Sequence, residues 1–236
     1  MSLLGPTGIA AVARTLPRHV AVIGAAGGLG QGILHACRAQ GIGFTAIVRS
    51  RPERIGEVPV GSRVAIVPSL SDQGALTEAF CGADAVLTAM GVTSTSSDRG
   101  ALLSANMATV ERAMIAAGVD RIVIVNTLLT SLPGARPGWI LRMFTHVPGT
   151  VGRGATELQA VVDALGAGAF SSLRWTLVRA GVNARGADQP PAAHADWAGA
   201  TNSWRPVSYE SMGRWMLAEA GANAFVRGAP LVSRTK

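Results

Sequence analysis

A chain of 236 residues, 48% hydrophobic and 15% charged, carries enough apolar side chain for one sizeable core, which excludes a disordered chain. Its formal charge of +7 is almost all arginine, Lys236 being the only lysine, and the arginines are scattered without a basic run or interleaved aromatics, so no nucleic-acid partner is expected. No run approaches the roughly 20 apolar residues of a spanning helix, so no membrane partner is expected either.

The opening stretch has a short apolar run, but it lacks a basic start and contains Gly5-Pro6, so it reads as a loose arm over residues 1–17 of a cytoplasmic protein rather than a leader. From residue 18 to 236 the pattern is that of one domain. Short β-branched runs at 19–24, 44–48, 63–67, 85–90, 121–126 and 175–179 alternate with helical patterns near 29–40, 72–81, 100–117, 154–166 and 208–220. Right-handed crossovers of this length build an α/β fold, a single doubly wound Rossmann-type parallel sheet with helices on both faces and strand order 3-2-1-4-5-6. Three stretches, at 91–100, 127–138 and 183–204, read as loops leaving the carboxyl ends of strands four, five and six, where a small-molecule substrate pocket forms in such sheets. Cys37 and Cys81 lie in apolar patterns, away from metal-ligand spacing, and read as buried thiols; no structural metal is expected.

The first strand runs into Gly24-Ala25-Ala26-Gly27-Gly28-Leu29-Gly30, a GxxGxxG turn that opens a helix. Gly24 allows a tight exit from the strand, Gly27 lets backbone N–H groups approach a pyrophosphate, and Gly30 lets the helix pack closely on the sheet. The helix amino terminus then faces the phosphates. Glycines also serve plain turns, but the strand before and the helix after favour a dinucleotide site.

Further stretches join this turn: Ala79-Phe80-Cys81-Gly82-Ala83-Asp84-Ala85-Val86-Leu87, Ala116 to Val123, Leu173 to Arg179, and Val207-Ser208-Tyr209-Glu210-Ser211-Met212-Gly213. In this order and spacing the chain resembles an atypical short-chain dehydrogenase/reductase of the NAD(P)H-binding, NmrA-like group that includes flavin and biliverdin reductase-like proteins. The resemblance spans nearly everything after the arm. It implies an NAD(P) cofactor on the turn, with Ala26, Gly28 and Leu29 beside the three spaced glycines. It extends the cofactor set to strand ends: Ser69 and Leu70 after the third, Ala89, Met90 and Gly91 after the fourth, and Asn126 on the fifth.

Many relatives use a Tyr-x-x-x-Lys pair, in which lysine readies the tyrosine hydroxyl to exchange a proton with a carbonyl oxygen. This chain cannot contain that pair: its only tyrosine is Tyr209, at a position read as a structural helix start, and its only lysine is terminal. The corresponding helix offers Glu157 and Asp163, read as a solvated face. The resemblance aligns Thr127 with the family's active-site serine or threonine, where it either orients a substrate carbonyl or caps the strand end; Asn126 beside it has the same two readings. His146 is a candidate proton donor, whereas His19 and His35 have no partner at ligand spacing. Trp139, Met143 and Phe144 share one helix face, for which core packing is the default over a lid; Trp197 and Trp204 fit a pocket wall or a subunit contact.

Where NAD-preferring proteins place an acid after the second strand, this chain has Arg49-Ser50-Arg51, with Arg54 close behind. A guanidinium there pairs with a 2′-phosphate, so NADP(H) is preferred and NAD(H) is the alternative. The expected function is an NAD(P)H-dependent reductase acting on a small carbonyl, quinone or flavin-like substrate. The alternatives are a non-catalytic NADP(H)-sensing regulator and a pathway isomerase or cyclase on the same fold.

Overall fold

The computed structural model describes residues 16–90, 102–136, 138–194 and 205–234. Strands β1 (His19–Ile23), β2 (Gly43–Val48), β3 (Arg63–Ile66), β4 (Ala85–Thr88), β5 (Arg121–Thr127) and β6 (Arg174–Ala180) lie parallel in the order β3-β2-β1-β4-β5-β6. This is the expected order, and the sheet then extends past it. β6 pairs with β9 (Leu231–Arg234), and β9 pairs antiparallel with β8 (Pro191–His194). A further strand, β7 (Val182–Ala187), bridges to Val207 from both of its ends.

Alternation along the strands loads both faces. Val20, Val22, Val123 and Val178 pack under α1 (Gly28–Gln40) and α6 (Tyr209–Ala222), against Ile33, Leu34, Met212 and Met216. Ala21, Ile23, Ile122, Ile124 and Leu177 face the other layer, built from α2 (Gln73–Phe80), α3 (Leu103–Ala116) and α5 (Thr150–Gly166). Each fully buried aliphatic side chain contributes roughly 1.5–3 kcal/mol, and both layers hold many, so the sheet is the core. Helices α1 and α6 meet at two glycines. A Cβ on Gly213 would lie 2.6 Å from the Gly32 carbonyl oxygen, so side chains there would drive the helices apart.

One buried ion pair crosses the second half. Arg121, 1% exposed, donates from Nη2 to Glu219 Oε1 at 2.9 Å and to Thr176 Oγ1 at 2.8 Å; the Phe225 amide donates to the same carboxylate oxygen at 2.9 Å. Burial pulls the Arg121 pKa down to about 10 against the opposing pull of Glu219.

The structure corrects several expectations. The stretch 183–204 is not a plain loop, since β7 and β8 occupy part of it; Asn183, Gly186 and Pro191 have low strand propensity, and Pro191 is tolerated because it heads an edge strand. Trp139, Met143 and Phe144 do lie on a helix, α4 (Trp139–Thr145), but they are not core: Trp139 is 71% exposed. A seven-residue helix lying against α5 has one face to bury, and periodicity alone does not say which face is covered. Cys37 is buried, which raises its thiol pKa to about 12, whereas Cys81 is exposed as the residue that caps the end of α2. Glu157 is no solvated face: it accepts from the Ser104 amide at 3.0 Å and from the Ser104 hydroxyl, closing the first turn of α3. Trp197, Trp204, Gly91 and most of the arm lie outside the described residues. No described helix is long and apolar enough to cross a membrane.

Candidate dinucleotide and substrate cleft

The glycine-rich turn is held mainly by backbone bonds. The amides of Gly24 and Ala25 both donate to the Ile47 carbonyl at 3.2 Å, which seats the turn against the end of β2. Gly24 has φ +81°, which side chains rarely adopt, and Gly27 donates back to the Gly24 carbonyl at 3.0 Å. The first helical bond of α1 runs from the Gln31 amide to the Gly27 carbonyl at 2.9 Å. The amides of Gly28, Leu29 and Gly30 therefore precede any intrahelical acceptor, and they form the donor end of the helix dipole. At Gly30 a Cβ would stand 2.4 Å from the Gly24 carbonyl oxygen, so the tight turn requires glycine. At Gly27 a Cβ would lie 3.3 Å from the Gly24 carbonyl oxygen, a tight approach, and 3.8 Å from the Ala89 oxygen, while Gly27 itself borders the open space of a cleft. Those orphan donors and that space fit the diphosphate of a dinucleotide.

A cleft of about 630 Å³ opens from this turn across the carboxyl ends of β4, β5 and β6. Of the residues expected from sequence, Gly27, Gly28, Leu29, Ala89, Met90, Asn126 and Thr127 line it. Asn126 is 4% exposed and its amide is committed elsewhere: Nδ2 donates to the Leu158 carbonyl at 2.9 Å, and Oδ1 accepts from the Thr127 amide at 2.7 Å. Its side chain fastens β5 to α5. Thr127 is half-buried, and its hydroxyl accepts one long contact, 3.5 Å from the Leu129 amide, which leaves its proton available to the cleft.

Arg49 and Ser50 stand exposed just past β2, next to the seat of the turn, and Arg54 is exposed on the 3-10 helix Pro52–Ile55 that follows. Gln31 ties that helix to the turn, donating to the carbonyls of Ala25 and Arg54 at 3.0 Å each. Ser69 and buried Leu70 follow β3 on the same edge of the sheet. These residues flank the turn on the side away from Thr127. The structure does not bring His146 to the cleft: it caps the exposed end of α4, with Nδ1 2.6 Å from the Arg142 carbonyl oxygen.

Sequence reasoning missed Tyr209 and the segment after β6. Tyr209 lines the cleft from the first turn of α6, its ring against Gly28, where a Cβ would come within 2.5 Å of Cε2 and 2.7 Å of Cζ. Ala180, Gly181, Val182 and Asn183 form the facing wall. The start of α6 is bonded to that wall: Val207 donates to the Gly181 carbonyl at 2.8 Å and Ser208 to the Ala187 carbonyl at 3.1 Å. Asp188 accepts from Ser211 Oγ at 2.7 Å and from the Arg214 guanidinium; these bonds hold its carboxyl below the usual range. A tyrosine brought to a turn far away in the chain leaves no local signal.

Comparison with known proteins agrees with this layout. A family model described as NAD(P)H-binding matches residues 24–220. No curated protein matches the chain. Among solved structures, a short-chain dehydrogenase/reductase from Veillonella parvula in complex with NADP is 18% identical, with TM-score 0.63 over 93% of this chain and 95% of that one. A candidate NADH-flavin reductase from Streptococcus pneumoniae is 17% identical, with TM-score 0.68 over 92% of this chain and all of the other. An oxidoreductase from Lactococcus lactis reaches TM-score 0.70 at 13% identity, covering 92% and 91% of the two chains.

Proposed function

Because the chain belongs to the NAD(P)H-binding family, we propose that it is an NADPH-dependent reductase that passes hydride to a small, flat acceptor: a carbonyl compound, a quinone or a flavin. The observation that carries this reading is that one cleft joins the orphan amides of the glycine-rich turn to the Thr127 hydroxyl. When bound, the nicotinamide supplies the hydride, and a proton completes the reduction of the acceptor. The chain's share is placement. The amides of Gly28 to Gly30 hold the diphosphate, Arg49 answers a 2′-phosphate, and Thr127 orients the acceptor oxygen. Without a Tyr-x-x-x-Lys pair the reading favours quinones and flavins, which take their proton from solvent.

The test is loss of NADPH absorbance with a panel of quinones, flavins and ketones. Acceptor-dependent oxidation is the expected result. Tight NADPH binding with no oxidation by any acceptor would instead make the protein a cofactor sensor.

A further inference from the structure

We infer that Tyr209 is a second holder of the dinucleotide diphosphate, its phenolic O–H donating to a phosphate oxygen opposite the amides of the α1 amino terminus. The inference rests on the reading that the glycine-rich turn holds that diphosphate. Three observations carry it. The ring atoms nearest Gly28 are Cε2 and Cζ, the end of the ring that bears the hydroxyl, so the O–H stands beside the same helix terminus that offers the orphan amides. Tyr209 lines the cleft, and among the described residues its hydroxyl has no hydrogen-bond partner; a polar group left in that position is open to a ligand. The backbone that carries the ring is also held in place: Ser208 caps α6 by accepting from the Ser211 amide at 3.0 Å, Val207 and Ser208 donate to the Gly181 and Ala187 carbonyls, and Ser211 donates to Asp188.

This placement gives Gly28 a reason of its own. Any side chain there would displace the ring, so Gly28 and Tyr209 form a matched contact between the first turn of the sheet and the last helix. The phenol is also tied to the rest of the cleft, since Gly181, whose carbonyl accepts from the Val207 amide just before α6, lines the same cleft. A hydrogen bond to a charged acceptor contributes enough to change affinity by about tenfold or more.

The experiment measures binding by fluorescence titration of three ligands to the parent and to Tyr209→Phe: NADPH, 2′-phospho-ADP-ribose and 2′-AMP. The last keeps the adenine-ribose end but has no diphosphate. The variant is expected to bind NADPH and 2′-phospho-ADP-ribose about tenfold more weakly, with 2′-AMP unchanged and Tm within a degree or two of the parent. Equal weakening of all three ligands would make Tyr209 a packing residue, and no weakening of any would remove it from the site; either result overturns the inference while leaving the turn as the cofactor site. A parent that binds none of the three would overturn the cofactor reading itself and this inference with it. A second arm compares Gly28→Ala alone and in a Tyr209→Ala background. The loss caused by alanine at position 28 should largely vanish when the ring is gone, and an undiminished loss counts against the matched contact.

Discussion

The two ends of the sheet place functional groups by opposite means. In the first βαβ unit everything is local: Gly24 to Gly30 turn the chain, seat it on Ile47 and open α1 within a few residues. In the last third, β6 to β9 and α6 bring residues together across long separations, as in the Arg121–Glu219 pair, 98 residues apart, and the Tyr209–Gly28 contact. The first region reads as a motif, because its geometry is written in consecutive residues. The second carries recognisable stretches at Leu173 to Arg179 and Val207 to Gly213, but these do not give its contacts, because each contact depends on where distant strands and helices pack.

The largest effect that would break this contrast lies in the second region. Glu219→Ala leaves Arg121 charged and 1% exposed with no carboxylate, and loss of one partner of such a pair costs about 3–5 kcal/mol. Urea unfolding should show that loss in the midpoint; a variant as stable as the parent would mean that Thr176 and the Arg174 carbonyl suffice for the guanidinium.

In the first region two glycines separate fold from function. Gly30→Val forces a Cβ to within 2.4 Å of the Gly24 carbonyl oxygen, and such overpacking costs about 3 kcal/mol of stability. Gly27→Val meets a tight but milder 3.3 Å approach to the Gly24 oxygen, at a φ of −79° ordinary for a side chain, so it should cost clearly less stability than Gly30→Val and stay folded. Nucleotide binding by the Gly27 variant should fall by about a hundredfold or more, since the valine fills the space in front of the orphan amides. Unchanged NADPH affinity in a folded Gly27→Val protein would reduce the turn to a structural one.

Between the two regions stands Thr127, which local sequence placed at a strand end and the fold places in the cleft. Its 3.5 Å contact with the Leu129 amide is a weak cap, so Thr127→Val should cost little stability. Turnover should fall by about 10²-fold if the hydroxyl orients the acceptor, with NADPH affinity unchanged. The opposite pattern, lost stability with full turnover, would return Thr127 to capping.

What was legible follows the same division. The six parallel strands and their order were readable because β-branched runs alternate with helical spacing, and the crossover rule leaves few arrangements. β7 and β8 were not, because Asn183, Gly186 and Pro191 form strands only where Val207 and β9 supply partners. Trp139 and Met143 show the limit of periodicity: it identified a shared face of α4 but not whether anything covers it. Glu157 looked like surface until α3 came to lie beside α5 with an uncapped first turn for it to close. Tyr209 was readable as a helix start and nothing more, since Gly28 reaches it only through the packing of α1 on α6.

The smallest expected effect concerns the choice of dinucleotide, and it tests how far the local region can be trusted alone. Arg49 and Ser50 stand exposed at the carboxyl end of β2, where an acid would accept from the ribose hydroxyls of NAD and repel a 2′-phosphate. No acid stands at either position. The Ile47 carbonyl two residues before Arg49 accepts both amides that seat the glycine turn, so the strand end and the turn are fixed to each other by backbone. A guanidinium on that short tether would meet a 2′-phosphate with charge-assisted bonds, while the exposure of Arg49 would let water and salt screen the attraction. The balance is a modest preference: NADPH should bind about tenfold more tightly than NADH, roughly 1.4 kcal/mol, at low salt, and the ratio should shrink as salt rises. Arg49→Ala should remove most of that ratio by weakening NADPH and leaving NADH unchanged. Arg54→Ala should do less, because its residue is anchored by its backbone carbonyl to Gln31 rather than held at the strand end. Equal affinities for the two cofactors in the parent would show that the missing acid alone does not select NADPH.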